Sequence, residues 1–259
     1  MGHRAPTGTP HRGILVMLAL LVLAAGSCAS PAKGTDNTRK EALPEATTYT
    51  TVRDAPRDPD PFGEGTGVVV HPTVPQTVHA RPGGHAVAKL PTRQLGTPTW
   101  VPVVETVPGW IRVLLPSRPN RATGWIRGDT GELRVARTPY LIKVETRARR
   151  LTVLKAGRVT GRWTVAVGAP KTPTPHGRTF LLALLAPSED THGSPVLPTG
   201  THSATLDTFG GGPGTVAFHG WPDASVFGKA VSHGCVRVPD SAMRVLTRIP
   251  LGTVVIITR

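Results

Sequence analysis

Outside its first thirty residues the chain has one cysteine, Cys235, and its other cysteine is Cys28. If Cys28 is acylated and serves as a lipid anchor, no second thiol remains to pair with Cys235. The fold must then be stabilised by a hydrophobic core and not by disulfide bonds. About 230 residues follow Cys28, which is enough chain to bury such a core in one or two domains.

The first 28 residues have the pattern of an export signal. Arg4 and Arg12 supply positive charge, and the apolar run 14–25 is too short to span a bilayer comfortably. The segment Leu23–Cys28 is similar to a bacterial lipobox, in which the cysteine is acylated and becomes the first residue of the mature protein. We therefore expect an exported protein, anchored by lipid on Cys28 at the outer face of the cytoplasmic membrane or in the cell wall. Plain secretion after cleavage near Ser27 is the alternative.

The chain is strongly basic, with 30 Lys and Arg against 16 Asp and Glu and a formal net charge of +14 at pH 7. The excess lies mostly in arginines that are spread through the sequence. Nucleic-acid binding would need a clustered basic stripe or a known docking motif, and an export signal also argues against it. An anionic cell-wall polymer or a membrane surface is a better counterpart. A high-GC genome would give the same composition, so both interpretations stay open.

Composition divides the remaining chain into three segments. Residues 29–66 are rich in Pro, Thr, Asp, Lys and Arg with almost no apolar periodicity, which predicts a disordered tether. Between residues 67 and 136, short β-prone runs alternate with turn signals. Residues 139–259 continue the β pattern and contain one helix candidate, Pro239–Arg248, followed by a last strand, Thr253–Thr258. The sequence therefore predicts a mainly β protein with two folded domains.

The segment 67–136 resembles a bacterial SH3-like domain. Two Gly-Trp pairs, Gly109-Trp110 and Gly124-Trp125, begin β-prone runs after an earlier run at Trp100–Val104. The resemblance implies a small barrel. Tryptophans of such modules are more often core residues than ligand platforms, so we expect a spacer role, and a binding role stays open.

The segment Ser232–Arg237 surrounds the second cysteine with residues suited to thiol chemistry. A thiol attacks only when it is ionised, so it needs a base or a positive charge beside it. His219 follows an apparent strand and can approach the sulfur across the sheet as a general base, whereas His233 lies in the same turn as Cys235 and is expected to line the pocket. The amides of Gly234 and Cys235 could donate hydrogen bonds to a tetrahedral oxyanion.

These residues resemble the signature of the L,D-transpeptidase catalytic domain of the YkuD type, and the resemblance extends over residues 139–259. It implies a β-sandwich-like domain with one C-terminal helix, and an SH3-like module ahead of it fits an actinobacterial subgroup. Carried over residue by residue, it implies these roles: nucleophile, Cys235; proton donor and acceptor, His219; carbonyl that orients that base, Gly220; positions lining the thiol, Ser232, His233 and Gly234.

The resemblance also implies a reaction, which is acyl transfer on peptidoglycan. Cys235 would attack the third residue of a tetrapeptide stem, expel the terminal D-alanine and hold the stem as a thioester, which the amine of a second stem would resolve as a 3-3 cross-link. Arg237 stands where some members have Asn and could hold a substrate carboxylate through a forked pair. Trp221 is the other substrate-binding candidate. We expect peptidoglycan stems as partners of a monomer, with no cofactor and no metal.

Two alternatives to cross-linking stay open, and two further classes fit the sequence poorly. Water as the acceptor would give an L,D-carboxypeptidase, and a domain that has lost activity would leave a wall-binding lipoprotein. The spacing from His219 to Asp223 has the His-x-x-x-Asp form of cell-wall zinc endopeptidases, but the His-x-His pair of those enzymes is absent and a catalytic zinc needs three protein ligands. Papain-like endopeptidases have the cysteine before the histidine, which is the opposite of the order here.

Overall fold

The computed structural model describes residues 42–189 and 193–259. The predicted signal sequence, Cys28 and the first part of the predicted tether lie outside these residues. Within them the chain forms nineteen β-strands and one α-helix, which confirms the mainly β class. No helix in the described part of the chain is long and apolar enough to cross a membrane.

The first sheet has seven strands and is built from residues 68–137. Its order is β3-β2-β8-β7-β6-β1-β9, and a two-stranded hairpin of β4 and β5 is inserted after β3. The strands are β1 (Val68–Pro72), β2 (Gln76–His79), β3 (Ala86–Leu90), β4 (Arg93–Gln94), β5 (Thr97–Pro98), β6 (Val101–Val107), β7 (Trp110–Leu114), β8 (Thr123–Arg127) and β9 (Leu133–Arg137). Among the described residues no pairing joins β3 to β9, so strand pairing does not close the expected barrel. The SH3-like assignment stays a prediction.

The C-terminal half contains a five-stranded sheet, a three-stranded sheet and a two-stranded ladder. The five strands are β10 (Tyr140–Glu145), β11 (Arg150–Lys155), β12 (Arg158–Thr164), β14 (Gly177–Phe180) and β19 (Val254–Thr258), in the order β12-β11-β10-β19-β14. The three-stranded sheet contains β15 (Val196–His202), β16 (Thr215–His219) and β18 (Val236–Arg237). The ladder pairs β13 (Val167–Gly168) with β17 (Ala230–Ser232), and the helix is α1 (Asp240–Leu246).

The parallel pair β10 and β19 explains why these strands of the C-terminal half have nearly continuous apolar sequences. Ile142 and Val255 face one hydrophobic cluster, whereas Leu141 and Val254 face a second cluster on the other side of the sheet. A strand that is buried on both faces needs apolar residues at every position and loses the alternation of a half-exposed strand. The opposite extreme is β12, which lies at the edge of this sheet and is largely exposed, with Arg158 and Arg162 on it.

The prediction of a disordered tether is wrong for residues 42–66, which pack against the fold. Ala46 and Val52 are buried, and their amides donate to the carbonyls of Lys89 and Arg118 at 2.7 and 2.8 Å. Two or three apolar residues without periodicity gave no sign of this packing. The segment is ordered because it adds backbone pairing to the edge and loops of the first sheet.

A buried ion pair joins the same segment to the five-stranded sheet. Arg178 on β14 donates from Nη2 and Nε to the two carboxylate oxygens of Asp58, at 2.6 and 2.9 Å, and from Nη1 to Gly63 O at 3.1 Å. The two charged side chains are 3% and 0% exposed. Because the charges satisfy each other in a forked geometry, each is tolerated in the interior.

The hydrophobic core does not stop at the boundary between the two halves. Phe180, Leu182 and Ala183, which follow one another on or after β14, belong to the same buried cluster as Val70 and Ile126 of the first sheet. Residues 41–259 accordingly form one compact unit. The division at about residue 137 into an SH3-like and a catalytic domain stays a prediction.

A buried histidine ties the N-terminal segment to the three-stranded sheet. His202 Nε2 lies 2.7 Å from Thr48 O and 3.0 Å from Thr48 Oγ1, and Thr48 Oγ1 in turn lies 2.5 Å from Thr215 Oγ1. Burial lowers the pKa of His202 to about 4, opposed by the Thr48 carbonyl bond and assisted by the nearby positive charge of Arg118. The imidazole is therefore neutral at pH 7, with its proton on Nε2.

The buried ion pair gives a test of how the N-terminal segment contributes to stability. We expect Asp58→Ala to lower the free energy of unfolding by about 3–5 kcal/mol, because Arg178 would keep a buried charge without its partner. The double variant Asp58→Ala/Arg178→Met should recover much of that loss. Urea unfolding followed by tryptophan fluorescence measures both, and a loss below about 1 kcal/mol in Asp58→Ala would show that the segment is not packed as described.

The buried histidine gives a pH dependence with a definite sign. The unfolded chain takes up a proton on His202 below its ordinary pKa of about 6.5, whereas the folded chain does so only near 4, so stability falls as pH decreases through that window. The expected loss approaches about 3 kcal/mol at full protonation of the unfolded state. His202→Gln should lack this component. Thermal unfolding of both proteins at pH 7 and pH 5 compares them, and equal pH dependence would contradict the assignment.

Candidate active site

Parallel pairing of β16 with β18 brings the predicted thiol and the predicted base to one face. The register pairs Phe218 with Val236 and His219 with Arg237. Phe218 and Val236 are each 1% exposed and point into the core. Because side chains alternate along a strand, His219 and Arg237 point to the opposite face, and Cys235, one residue before Val236, is on that face too.

A cavity of about 500 Å³ lies on this face. It brings together most of the residues that the sequence singled out, namely Cys235, His219, Ser232, His233, Arg237 and Trp221. Its other walls are apolar or small, namely Leu185, Val196, Pro198, Phe209, Gly210, Thr215 and Ala217. Gly220 and Gly234 are not among the lining residues, and each contributes through its backbone.

The imidazole of His219 is oriented by the next residue. His219 Nδ1 lies 2.8 Å from Gly220 O, and a carbonyl can only accept, so Nδ1 carries the proton and Nε2 of the neutral ring is the basic nitrogen. Gly220 is held by its amide, which donates to Ser194 Oγ at 2.8 Å. A Cβ at Gly220 would lie 2.7 Å from Ser194 Oγ, so this close packing requires glycine.

The environment of Cys235 disfavours the thiolate form. Burial raises its pKa above the ordinary value, while a backbone hydrogen bond at Ala217 and the positive charge of Arg237 lower it by smaller amounts. The sulfur is therefore a neutral thiol at neutral pH and needs a base to become a nucleophile. An imidazole with an unprotonated nitrogen in the same cavity is suited to that task.

The turn before Cys235 is fixed by its own serine. Ser232 Oγ donates to Cys235 O at 2.5 Å and accepts from Gly234 N at 3.1 Å. Gly234 has a φ of +121°, which strains any residue with a side chain. In this structure the Gly234 amide donates to Ser232 Oγ, so it would have to exchange that bond to reach an oxyanion. Donation to an oxyanion by the Gly234 and Cys235 amides stays a prediction.

Two threonines from a distant segment hold the same turn, and the sequence analysis missed their role. Thr172 Oγ1 donates to Ser232 O and Thr174 Oγ1 donates to Gly234 O, both at 2.9 Å, and Thr174 Oγ1 also accepts from Gly168 N at 2.9 Å. The signal was present in the spacing, because each of the two threonines stands directly before a proline, which favours an extended backbone at both positions.

Arg237 is stacked on Trp221 at the other side of the cavity. Its guanidinium carbon lies 3.4 Å from the centre of the indole ring, and Trp221 also meets His219 edge to face with 6.0 Å between ring centres. The Nε atom of Arg237 is buried and has no hydrogen-bond partner. A stacked guanidinium with an unused donor suits a planar anionic group of a ligand.

A flap, defined here as residues 203–214 between β15 and β16, reaches the cavity beside His233. The ring of Phe209 in this flap lies 4.8 Å from the His233 ring, centre to centre, with an interplanar angle of 31°. His233 is exposed and lines the cavity mouth, as the sequence predicted. The flap thus contacts the turn that precedes Cys235 through the ring pair of Phe209 and His233.

Asp223 has a structural role as the N-cap of a short 3-10 turn. Its carboxylate accepts from Ser225 N at 2.8 Å and from Ser225 Oγ at 2.9 Å, which caps the 3-10 turn Ala224–Val226. Across residues 42–189 and 193–259, no group of three or more His, Cys, Asp or Glu side chains is arranged to hold a metal ion.

Comparison with known proteins matches the C-terminal half of the chain to one family. The family model for the L,D-transpeptidase catalytic domain, YkuD, matches residues 139–257. A protein of Bacillus subtilis (strain 168), provisionally named as the L,D-transpeptidase YqjB, is 31% identical over 137 residues, which span 49% of this chain and 76% of that protein.

Solved structures with a similar chain path include two mycobacterial proteins. An L,D-transpeptidase from Mycobacterium smegmatis has 18% identity and a TM-score of 0.38, covering 85% of this chain and 96% of that one. L,D-transpeptidase 3 from Mycobacterium tuberculosis has 14% identity and a TM-score of 0.40, covering 74% of this chain and 83% of that one.

The threonine contacts of the nucleophile turn can be tested with an isosteric change. Thr174→Val keeps the volume but leaves Gly234 O and Gly168 N unpaired in the interior, so we expect the free energy of unfolding to fall by about 1–3 kcal/mol. Amide exchange of residues 232–235, measured by hydrogen–deuterium exchange, should accelerate. Thr179→Val is the matched control, because Thr179 Oγ1 is buried without a hydrogen-bond partner. Equal effects of the two variants would remove the role assigned to Thr174.

Proposed function

This chain belongs to the YkuD family of L,D-transpeptidase catalytic domains, and on that premise we propose that it transfers a peptidoglycan stem peptide through a thioester on Cys235. The observation that carries the proposal is the shared face of β16 and β18, which directs Cys235 and His219 into one cavity. The hydrogen bond from His219 Nδ1 to Gly220 O supports the role of His219, because it leaves Nε2 as the basic atom.

The first half of the proposed reaction acylates the enzyme. His219 Nε2 takes the Sγ proton of Cys235, and the sulfur attacks the carbonyl carbon of the third stem residue. When the tetrahedral intermediate collapses, the bond to the terminal D-alanine breaks and His219 returns the proton to the departing amine. The stem is then bound to Cys235 as a thioester. The raised pKa of the thiol supports the need for such a base.

The second half transfers the stem to an acceptor. The side-chain amine of the third residue of another stem attacks the thioester, His219 accepts a proton, and the thiol is regenerated as a 3-3 cross-link forms. Water in place of the amine gives an L,D-carboxypeptidase. Arg237 is the candidate for holding a stem carboxylate, since it is fixed on Trp221 and its Nε is unpaired.

The remainder of the chain is proposed to deliver this domain to its substrate. The signal-like residues 1–28, with lipid on Cys28, would place the protein outside the cytoplasmic membrane, where peptidoglycan is found. The SH3-like segment 67–136, which makes up about a quarter to a third of the chain, would act as a spacer. No nucleic acid and no cofactor belong to this proposal.

Incubation of the full protein with a purified disaccharide tetrapeptide tests the function directly. Loss of D-alanine with dimer formation supports transpeptidation, loss without dimer supports carboxypeptidation, and an unchanged substrate supports an inactive wall-binding protein. We expect dimer, identified by mass spectrometry. Cys235→Ala should abolish turnover, and His219→Ala should reduce it by about 10²–10⁴-fold, because the thiol loses its base.

Two further variants separate the histidines and test Arg237. His233→Ala should retain most of the turnover number, and full activity of His219→Ala would move the base to His233. Arg237→Met should raise the KM for the tetrapeptide more than it lowers kcat. A covalent carbapenem adduct on the wild type that is absent from Cys235→Ala would identify the nucleophile without any stem substrate.

A further inference from the structure

The flap over the active-site cavity is a small closed loop. At its base Ser203 N donates to Gly214 O at 2.8 Å, and at its tip Phe209 and Gly212 exchange two backbone hydrogen bonds of 3.0 Å. The arms lie so close that a Cβ at Gly214 would be 2.4 Å from Leu206 O. The tip residue Phe209 lines the cavity and stacks on His233.

An arginine of the N-terminal sheet binds both arms of this flap. Arg118 lies in the loop between β7 and β8, and its Nη2 donates to Pro213 O at 3.0 Å, to Asp207 O at 3.3 Å and to Leu206 O at 3.4 Å. Two of these carbonyls are in the arm that leaves β15 and the third is in the arm that returns to β16. The guanidinium therefore joins the two arms, and Arg118 is not among the residues that line the cavity.

The carboxylate of Asp207 is a minor part of this contact. It lies 4.0 Å from Arg118 Nη2 and is fully exposed, whereas the arginine side chain is only 22% exposed. Exposed ion pairs contribute little because water screens them. The backbone carbonyls are the partners that fix the position of the guanidinium.

Asn120, two residues further along the same loop, holds the base of the flap. Its Nδ2 donates to His202 O at 2.7 Å and its Oδ1 accepts from His202 N at 2.8 Å. The side-chain amide thus pairs with the last residue of β15 as a neighbouring strand would. The loop 118–120 therefore holds the flap at two places, because Arg118 binds its two arms and Asn120 binds its base. Both of these residues come before the predicted catalytic domain, residues 139–259.

We propose that Arg118 is a positioning residue for the active site, acting through the flap to hold Phe209 against His233 at the entrance to Cys235. Its Nη2 atom, which donates to carbonyls of both arms, aligns the two arms, and the aromatic contact at the tip transmits that alignment to the cavity mouth. The identity of the substrate rests on the proposed function, whereas the control of access to the thiol does not.

The first measurement is the rate at which iodoacetamide alkylates Cys235, followed by mass spectrometry of the peptide that contains it. Arg118→Met should raise this rate by about threefold or more, because the flap no longer covers the thiol. Phe209→Ala, which removes the covering ring itself, should raise it as well. The double variant should alkylate no faster than Phe209→Ala within about twofold, since both changes remove the same barrier.

The second measurement is the steady-state release of D-alanine from the tetrapeptide. Arg118→Met is expected to raise KM by about threefold or more while kcat stays within about twofold, because the cavity wall changes and the reacting groups do not. If the wild type releases no D-alanine, the proposed function is wrong, and the alkylation rates still decide the role of Arg118.

Two controls separate positioning from a general loss of structure. Arg127→Met removes an exposed arginine of the same sheet that pairs with Asp129 and does not contact the flap, so it should leave the alkylation rate unchanged. Arg118→Lys keeps the charge but replaces the planar guanidinium by a compact ammonium on a different stem, and it should give an intermediate rate with a thermal midpoint near that of the wild type. Wild-type alkylation rates in both Arg118 variants, or effects that multiply with that of Phe209→Ala, overturn the proposal.

Discussion

The two-residue parallel pairing between β16 and β18 is the constraint on which the active-site geometry depends. It aligns residues eighteen positions apart in the chain, so that the alternation of a β-strand sends His219 and Cys235 to one face and Phe218 and Val236 to the other. Packing of the second pair in the core therefore fixes the first pair in the cavity. A shift of one residue in this register would exchange the two faces and bury the chemistry.

Around this pairing, the reactive groups are held almost entirely by backbone and hydroxyl contacts. The Gly220 carbonyl sets the tautomer of His219, and Ser232 closes the turn that carries the thiol. Thr172 and Thr174 bind that turn from the connection between β13 and β14. These partners are neutral, so they orient the thiol and the imidazole without adding a charge. Arg237 is the charged residue that lines the same cavity.

The sequence predicted the parts of the molecule that local patterns encode. The strand β6, the terminal helix and the last strand follow from periodicity and capping, and the structure has them within a few positions of the predicted bounds. Cys235 and His219 stood out as candidates because of the motif around them, and their catalytic roles stay predictions. The sequence could not indicate that Asp58 and Arg178 meet, because 119 residues separate two charges that carry no mark of their pairing.

For the same reason, residues 42–66 resembled a tether although they are packed against the sheet, and the bond from the Gly234 amide to Ser232 Oγ was not foreseen. Long-range partners are decided by topology, which a single sequence does not display. The hydroxyls of Thr172 and Thr174 illustrate an intermediate case. Their two-residue spacing was visible, whereas the turn that they hold was not.

The exposed edge strand β12 has a consequence for the behaviour of the protein at high concentration. An unpaired strand presents a row of free backbone donors and acceptors to which another chain can add, and this is a common start of intermolecular aggregation. Arg158 and Arg162 put positive charge on that edge, so a second copy approaching it strand to strand meets electrostatic repulsion. These two arginines thus help the folded chain to stay dispersed where it is concentrated.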